Sequence, residues 1–409
     1  MAKRILVTGM SGLGRGALFG HPSVKEAAVV HDLGYCMREI ARERQLPFSD
    51  SNILRASQGT LAALRAAALE RILHGVPADG DRPVIISAHS LFLLTDGMSE
   101  GLSPADIETI NPDLIITLID APQHIHVRLR EHQGEYFRLT IESIIRWQEF
   151  EVFFAHHIAK ERGIGHFVAP VGQPDTFLCL VRGDPRPIVY ASYPMTHLAD
   201  DKKPLVKEFV RKLQERCIVF DPSSIESTHG NKPYYSVQDY RAIRAHTIVR
   251  DLDWFIGINS QAVVAYWPAL VFSSGMNDEL RYAYENGRDT YLVAEVLEDG
   301  KVPTLSPFTT YKNRVFWSSQ DFFDYLEMPA NQQDAYRLMQ GEMIDVLHTV
   351  KTTGVLVTAD EYRRRCVAAL HNAKPDAWVA AEQETIDLLA ERIYDRWAVA
   401  MQAVAQQPG

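Results

Sequence analysis

Residues 251–293, DLDWFIGINSQAVVAYWPALVFSSGMNDELRYAYENGRDTYLV, read as a helix, a buried strand, a loop, a second helix and a further strand. The first strand, 262–267, is short, apolar and continuous, as expected of a parallel strand covered on both faces. The loop after it ends in Ser273, Ser274 and Gly275, and the following helix carries Glu279 in its first turns. In open α/β sheets, ligands lie beyond the carboxyl ends of the strands, where helix N-termini direct amide donors at them. A serine, a glycine and a carboxylate at such a crest predict a site for a phosphorylated substrate. The same Ser-Ser-Gly run is also an ordinary helix cap.

The S-x-G-x-x-x-E pattern of Ser273, Gly275 and Glu279 follows a V-V-A strand, with Asp251 and Trp254 upstream. Together these blocks resemble the nucleoside 2-deoxyribosyltransferase superfamily, and within it the 2'-deoxynucleoside 5'-phosphate N-hydrolases. PIVYASYPM at 187–195 resembles that family's first strand, with its tyrosine at Tyr190. The resemblance covers residues 186–326. It implies that Glu279 acts beneath C1' as nucleophile or as stabiliser of an oxocarbenium-like state. It implies that Asp251 assists departure of the base, and that Ser273, with Ser274 and the amides near Gly275, receives a 5'-phosphate. Tyr190 would contact the substrate, and the glycosidase would need no cofactor. Tyr193 stands where the family has a small residue, and Met276, Asn277 and Asp278 depart from its usual pattern, so the base and the acceptor, water or a second base, stay open. Asp251 also reads as an ion-pair partner of Arg250 on a helix surface.

The amino-terminal half has its own site pattern. KRILVTGMSGLGRG at 3–16 is a buried strand entering a glycine-rich loop, the context that a phosphate cradle requires. It resembles the adenylate-kinase-like P-loop kinases over residues 1–180, with further strands at 82–89 and 112–120 and long-helix character at 142–162. Gly9, Gly12, Gly14 and Arg15 would form a nucleotide-binding loop. Arg15 replaces the usual lysine, however, and Gly16 or Ala17 replaces the hydroxyl that holds magnesium. The domain therefore reads as degenerate in phosphoryl transfer, binding a nucleotide or serving as a scaffold; an active kinase using Arg15 is the alternative. His89, His124 and His126 suit loop or strand-end positions better than a metal or catalytic cluster.

The chain of 409 residues exceeds one typical domain, and its 46% hydrophobic and 23% charged content is ordinary for a globular protein. A formal charge of −10 argues against general nucleic-acid binding. Cys36, Cys179, Cys217 and Cys366 are widely spaced, form no CxxC pair and imply neither disulfides nor structural zinc. With no signal-peptide pattern and no spanning apolar run, a cytoplasmic protein without membrane association is expected.

The expected fold class is α/β, with two doubly wound parallel-sheet domains and a helical tail. Their expected limits are 1–181, 186–328 and 329–409. The apolar run 176–181 is expected as the last strand of the first domain, and 239–256 as one helix. Residues 223–236 read as a loop in which Tyr234 or Tyr235 stacks on a base or packs, and Asp221 shapes the crest or a turn. In the tail, Leu388, Leu389, Ile393, Trp397 and Met401 form a stripe for core or subunit packing. That stripe and the resemblance predict a homo-oligomer. A nucleotide-depleting N-glycosidase, directed at deoxynucleotides or NAD and regulated by the first domain or a protein partner, is the functional expectation. A defence effector is one setting for it. A catalytically inactive nucleotide-binding scaffold is the alternative.

Overall fold

The computed structural model describes residues 2–46, 56–75, 82–94, 97–131, 136, 138–195, 198–225, 235–268, 273–295 and 312–405. In chain order the elements of the first half are β1 (Arg4–Thr8), α1 (Arg15–Gly20), α2 (Pro22–Ala27), β2 (Val29–Asp32), α3 (Leu33–Glu43), α4 (Gln58–His74) and β3 (Val84–Ser87). They continue with β4 (Leu91–Leu94), β5 (Gly97–Glu100), α5 (Pro104–Ile110), β6 (Leu114–Ile119), α6 (Pro122–Glu131), α7 (Ile141–Arg162), β7 (Gly165–Pro170) and α8 (Pro174–Arg182). The second half holds β8 (Ile188–Ser192), α9 (Lys203–Arg216), β9 (Ile218–Phe220), α10 (Val237–Val249), a π-helix (Arg250–Asn259), β10 (Ala262–Trp267), α11 (Ser274–Glu285), β11 (Asp289–Ala294) and β12 (Arg314–Phe316). Five helices close the chain: α12 (Ser319–Glu327), α13 (Ala330–Thr353), α14 (Ala359–Ala373), α15 (Asp376–Ala381) and α16 (Gln383–Ala405).

The chain divides into two compact units. Residues 1–188 and 220–260 form the first, and residues 189–219 and 261–409 the second. The first unit is built on a parallel sheet in the order β2-β3-β1-β6-β7. Its central strands are buried at 5–8, 84–87 and 114–119, which is why these stretches read as largely apolar runs. Strand order reverses between β1 and β6, so the loops after these strands flank the crevice where such sheets bind ligands.

Residues 220–260 complete this unit at the β7 side. Asn259 accepts the Val168 amide at 2.9 Å and donates to the Val168 carbonyl at 2.7 Å, pairing the backbone of β7 as a neighbouring strand would. Tyr235, Ala242 and Ile243 pack against Ile141 and Ile145 of α7.

The second unit has a sheet in the order β12-β11-β10-β8-β9, with β8, β10, β11 and β12 mutually parallel. Counted within the sheet, this is the doubly wound order 2-1-3-4-5, whose switch point lies between β8 and β10. One continuous core joins this sheet to the carboxy-terminal helices, running from Val189 and Phe209 through Tyr336 and Met343 to Ile393 and Trp397. The helical tail is thus part of this unit's own core.

Two expectations change. Residues 176–181 are helical, within α8, rather than a strand. Thr176, Phe177, Leu180 and Val181 are buried at a one-four-five spacing, with Pro174 starting the helix and left-handed Gly183 ending it. A six-residue apolar run does not by itself separate the two periods. The single helix expected over 239–256 is α10 followed by the ten-residue π-helix. In the tail stripe Leu389, Ile393, Trp397 and Met401 are buried intramolecularly, whereas Leu388 is 65% exposed and off the core face. Four residues of the stripe thus serve core packing, one of the two roles expected of it. No helix among the described residues is long and apolar enough to cross a membrane.

Candidate active site

Strand β8 ends in Tyr190-Ala191-Ser192, and the two-residue period of a strand puts Tyr190 and Ser192 on one face. Pairing with β10 fixes their height, Tyr190 opposite Val263 and Ser192 opposite Ala265. Both are buried, at 0% and 1% exposure. The Tyr190 hydroxyl donates to Glu279 Oε1 at 3.1 Å, and Ser192 Oγ donates to Oε2 at 2.5 Å. Glu279 itself is half-buried, on the second turn of α11, directly at the switch point of the sheet. Two hydroxyls on a buried strand therefore hold one carboxylate, one on each oxygen.

Ser273 caps α11, its hydroxyl accepting the Met276 amide at 3.3 Å. Ser274 and Gly275 occupy the first turn and are exposed, and a side chain at Gly275 would meet nothing within 4 Å among the described residues. Residues 269–272 lie outside the described residues. The structure brings together Glu279 and Tyr190, both singled out in the sequence, and adds Ser192, which was not. The signal was available: a hydroxyl two residues after Tyr190 on the same strand must share its face.

Asp251 belongs to the first unit, on the π-helix, and is 6% exposed. Arg250 donates to both its oxygens, from Nε at 2.8 Å and Nη2 at 3.1 Å. Burial pushes the carboxyl up from its ordinary value against the pull of Arg250 and His246. The ring of His246 stands edge-on to Trp254, which is also buried. Asp221 caps a short 3-10 turn through the Ser223 amide at 2.9 Å. Tyr235 is buried against α7, in a packing position; Tyr234 lies outside the described residues.

The glycine-rich loop after β1 needs its glycines. Gly12 has φ +82°, and a Cβ there would stand 2.7 Å from Leu129 Cδ2. Arg128 donates to the Gly12 carbonyl at 2.6 Å and pairs with Asp120 at the end of β6. Burial pushes the Asp120 carboxyl up, but His124 and Arg128 outweigh it and hold the group below its ordinary value.

Arg15 is turned inward. Its Nη1 donates to Ser87 Oγ at 3.0 Å and to the Ala88 carbonyl at 3.2 Å, and its Nη2 lies 2.8 Å from His89 Nε2. A guanidinium only donates, so Nε2 accepts and the ring proton is on Nδ1. That Nδ1 faces Glu151 Oε1 at 3.9 Å. Burial, with Arg15 alongside, holds His89 well below the usual imidazole range. Glu151, fully buried on α7, accepts the Ser90 and Leu91 amides at 3.1 and 3.4 Å. Burial pushes its carboxyl up to about 7 despite these donors. No local sequence signal announces Glu151, because only the fold sets α7 against the turn after β3. Among the described residues, no group of three or more His, Cys, Asp or Glu converges as a metal site would require.

No protein-family model matches the chain, and no curated protein matches it significantly.

Proposed function

We propose that the second unit cleaves the N-glycosidic bond of a nucleotide, a deoxynucleotide or an NAD-type dinucleotide. The observation that carries this reading is Glu279, held by Tyr190 and Ser192 at the switch point of a parallel sheet. A carboxylate held by a donor on each oxygen is suited to the positive charge that develops at C1' as the C1'–N bond breaks. The base leaves with the bonding electron pair and takes a proton from an acid. Glu279 either bonds to C1' or stabilises it electrostatically. Water, or a second base in a transferase, then bonds to C1' and gives up a proton. The resemblance to the nucleoside 2-deoxyribosyltransferase superfamily implies Asp251 as that acid, and burial pushes its carboxyl up from its ordinary value. The exposed first turn of α11 at Ser274 and Gly275 suits a 5'-phosphate.

For the first unit, the adenylate-kinase-like resemblance is read as a degenerate nucleotide-binding or scaffold domain that regulates the glycosidase. Arg15 favours this: its donors serve Ser87, Ala88 and His89 at the place where a phosphate clamp would be. Nucleotide depletion as a defence effector is the physiological setting we attach to the pair. Base release from a panel of nucleotides, compared between the wild type and Glu279→Gln, tests the reading.

A further inference from the structure

The two oxygens of Glu279 are held by different donors, and that difference assigns different tasks. We propose that Ser192 is a positioning residue that keeps Glu279 ionised and anchors Oε2 throughout the reaction, leaving Oε1 to face the sugar. This rests on the glycosidase reading of the same site. Ser192 is the last residue of β8, held by register with Ala265 and 1% exposed, so its hydroxyl has little freedom to turn elsewhere. Its hydroxyl donates to Oε2, while that of Tyr190 donates to Oε1. A serine hydroxyl has a single proton to give, and a carboxylate is a better acceptor for it than a carboxylic acid.

When Oε1 bonds to C1' and the C1'–N pair departs with the base, Oε2 becomes the carbonyl oxygen of a sugar ester. It can keep the Ser192 bond as it does so. Oε1 must shed the Tyr190 hydroxyl, which is then released toward the substrate. Ser192 thus never needs to touch the sugar; it acts through Glu279. A purely structural tie between β8 and α11 would use the same hydrogen bond but leave the titration of Glu279 unimportant.

The test is the pH dependence of base release in wild type, Ser192→Ala and the isosteric Ser192→Cys, whose thiol is a weaker donor. Loss of one charge-assisted donor moves the acid limb of kcat/KM up by about one pH unit and lowers kcat about tenfold, with KM little changed. Cysteine falls between serine and alanine. An acid limb that stays in place in Ser192→Ala, with circular dichroism showing a folded chain, overturns the proposal. A separate readout needs no activity: the carboxyl carbon of Glu279, assigned by its absence in Glu279→Gln, is titrated by NMR. Its pKa rises by about one unit in Ser192→Ala if Ser192 sets the ionisation. An unchanged value overturns the proposal. A shifted NMR titration without base release from any nucleotide would instead place the failure in the glycosidase reading.

Discussion

Exchanging Glu151 for glutamine probes the buried carboxyl of the first unit directly. Its ordinary value is 4.5, and burial raises it to about 7 in the folded chain. The folded state therefore binds this proton more tightly than the unfolded state. Below pH 4.5 both states are protonated and the group is neutral in the balance. As pH rises through the window from 4.5 to about 7, the unfolded carboxyl ionises first and stability is lost. Between pH 5 and pH 8 the loss integrates to about 2.5 kcal/mol. Glutamine keeps an oxygen for the Ser90 amide, the closer of the two donors, gives up the longer Leu91 bond, and has no proton to lose. Arg15, the charge that favours the ionised form, keeps its bonds to Ser87, Ala88 and His89. The variant lacks this one contribution and should therefore gain about 2.5 kcal/mol on the wild type from pH 5 to pH 8, whatever slope the other groups give both proteins. On a transition of this size that is about 5–10 °C in relative Tm. Calorimetric scans of both proteins at pH 5, 6, 7 and 8 make the measurement. Parallel Tm curves across that range would refute the reasoning, because they would mean that Glu151 titrates alike in both states.

Other predictions follow from named contacts. His166, buried and beside His156, is held down to about 3, so its contribution is present above pH 6.5 and lost as pH falls. The loss is about 3 kcal/mol between pH 6.5 and 4, and His166→Gln, which can still bond Thr117, should flatten that acid limb in urea titrations. Gly101→Ala would set a Cβ 2.2 Å from the His89 carbonyl oxygen, a backbone atom that cannot step aside, so a loss of more than about 3 kcal/mol is expected by chemical denaturation. Gly275→Ala meets nothing among the described residues and should leave stability equal or improve it by up to about 1 kcal/mol. Its base release should nevertheless fall if a phosphate approaches that turn; full activity would remove Gly275 from the site.

Much of this was legible where a single physical rule governs the residues. Strands β1, β6 and β10 are covered on both faces, so their apolar runs announce them without a tertiary context. Ser273 as a cap and Glu279 on the second turn of the helix could be read from the same logic. The run at 176–181 could not, because six apolar residues fit a buried strand and a packed helix alike, and its burial decided for the helix. The π-helix was hidden because sequence periodicity near 3.6 does not report where a turn widens. Leu388 and Leu389 are neighbours in a stripe, yet a helix turns 100° between them, and only Leu389 reaches the core. Asp251 and Glu279 could be paired on paper by resemblance, whereas the fold assigns them to different compact units.

The central claim is that Glu279 carries glycosidic chemistry. Its most direct test is chromatographic measurement of free base released from nucleoside monophosphates, deoxynucleotides and NAD by wild type and Glu279→Gln, with and without ATP. The account predicts release by the wild type from at least one of these substrates, reduced more than about a thousandfold in the variant. Equal release by both proteins, or none by the wild type under either condition, would contradict it.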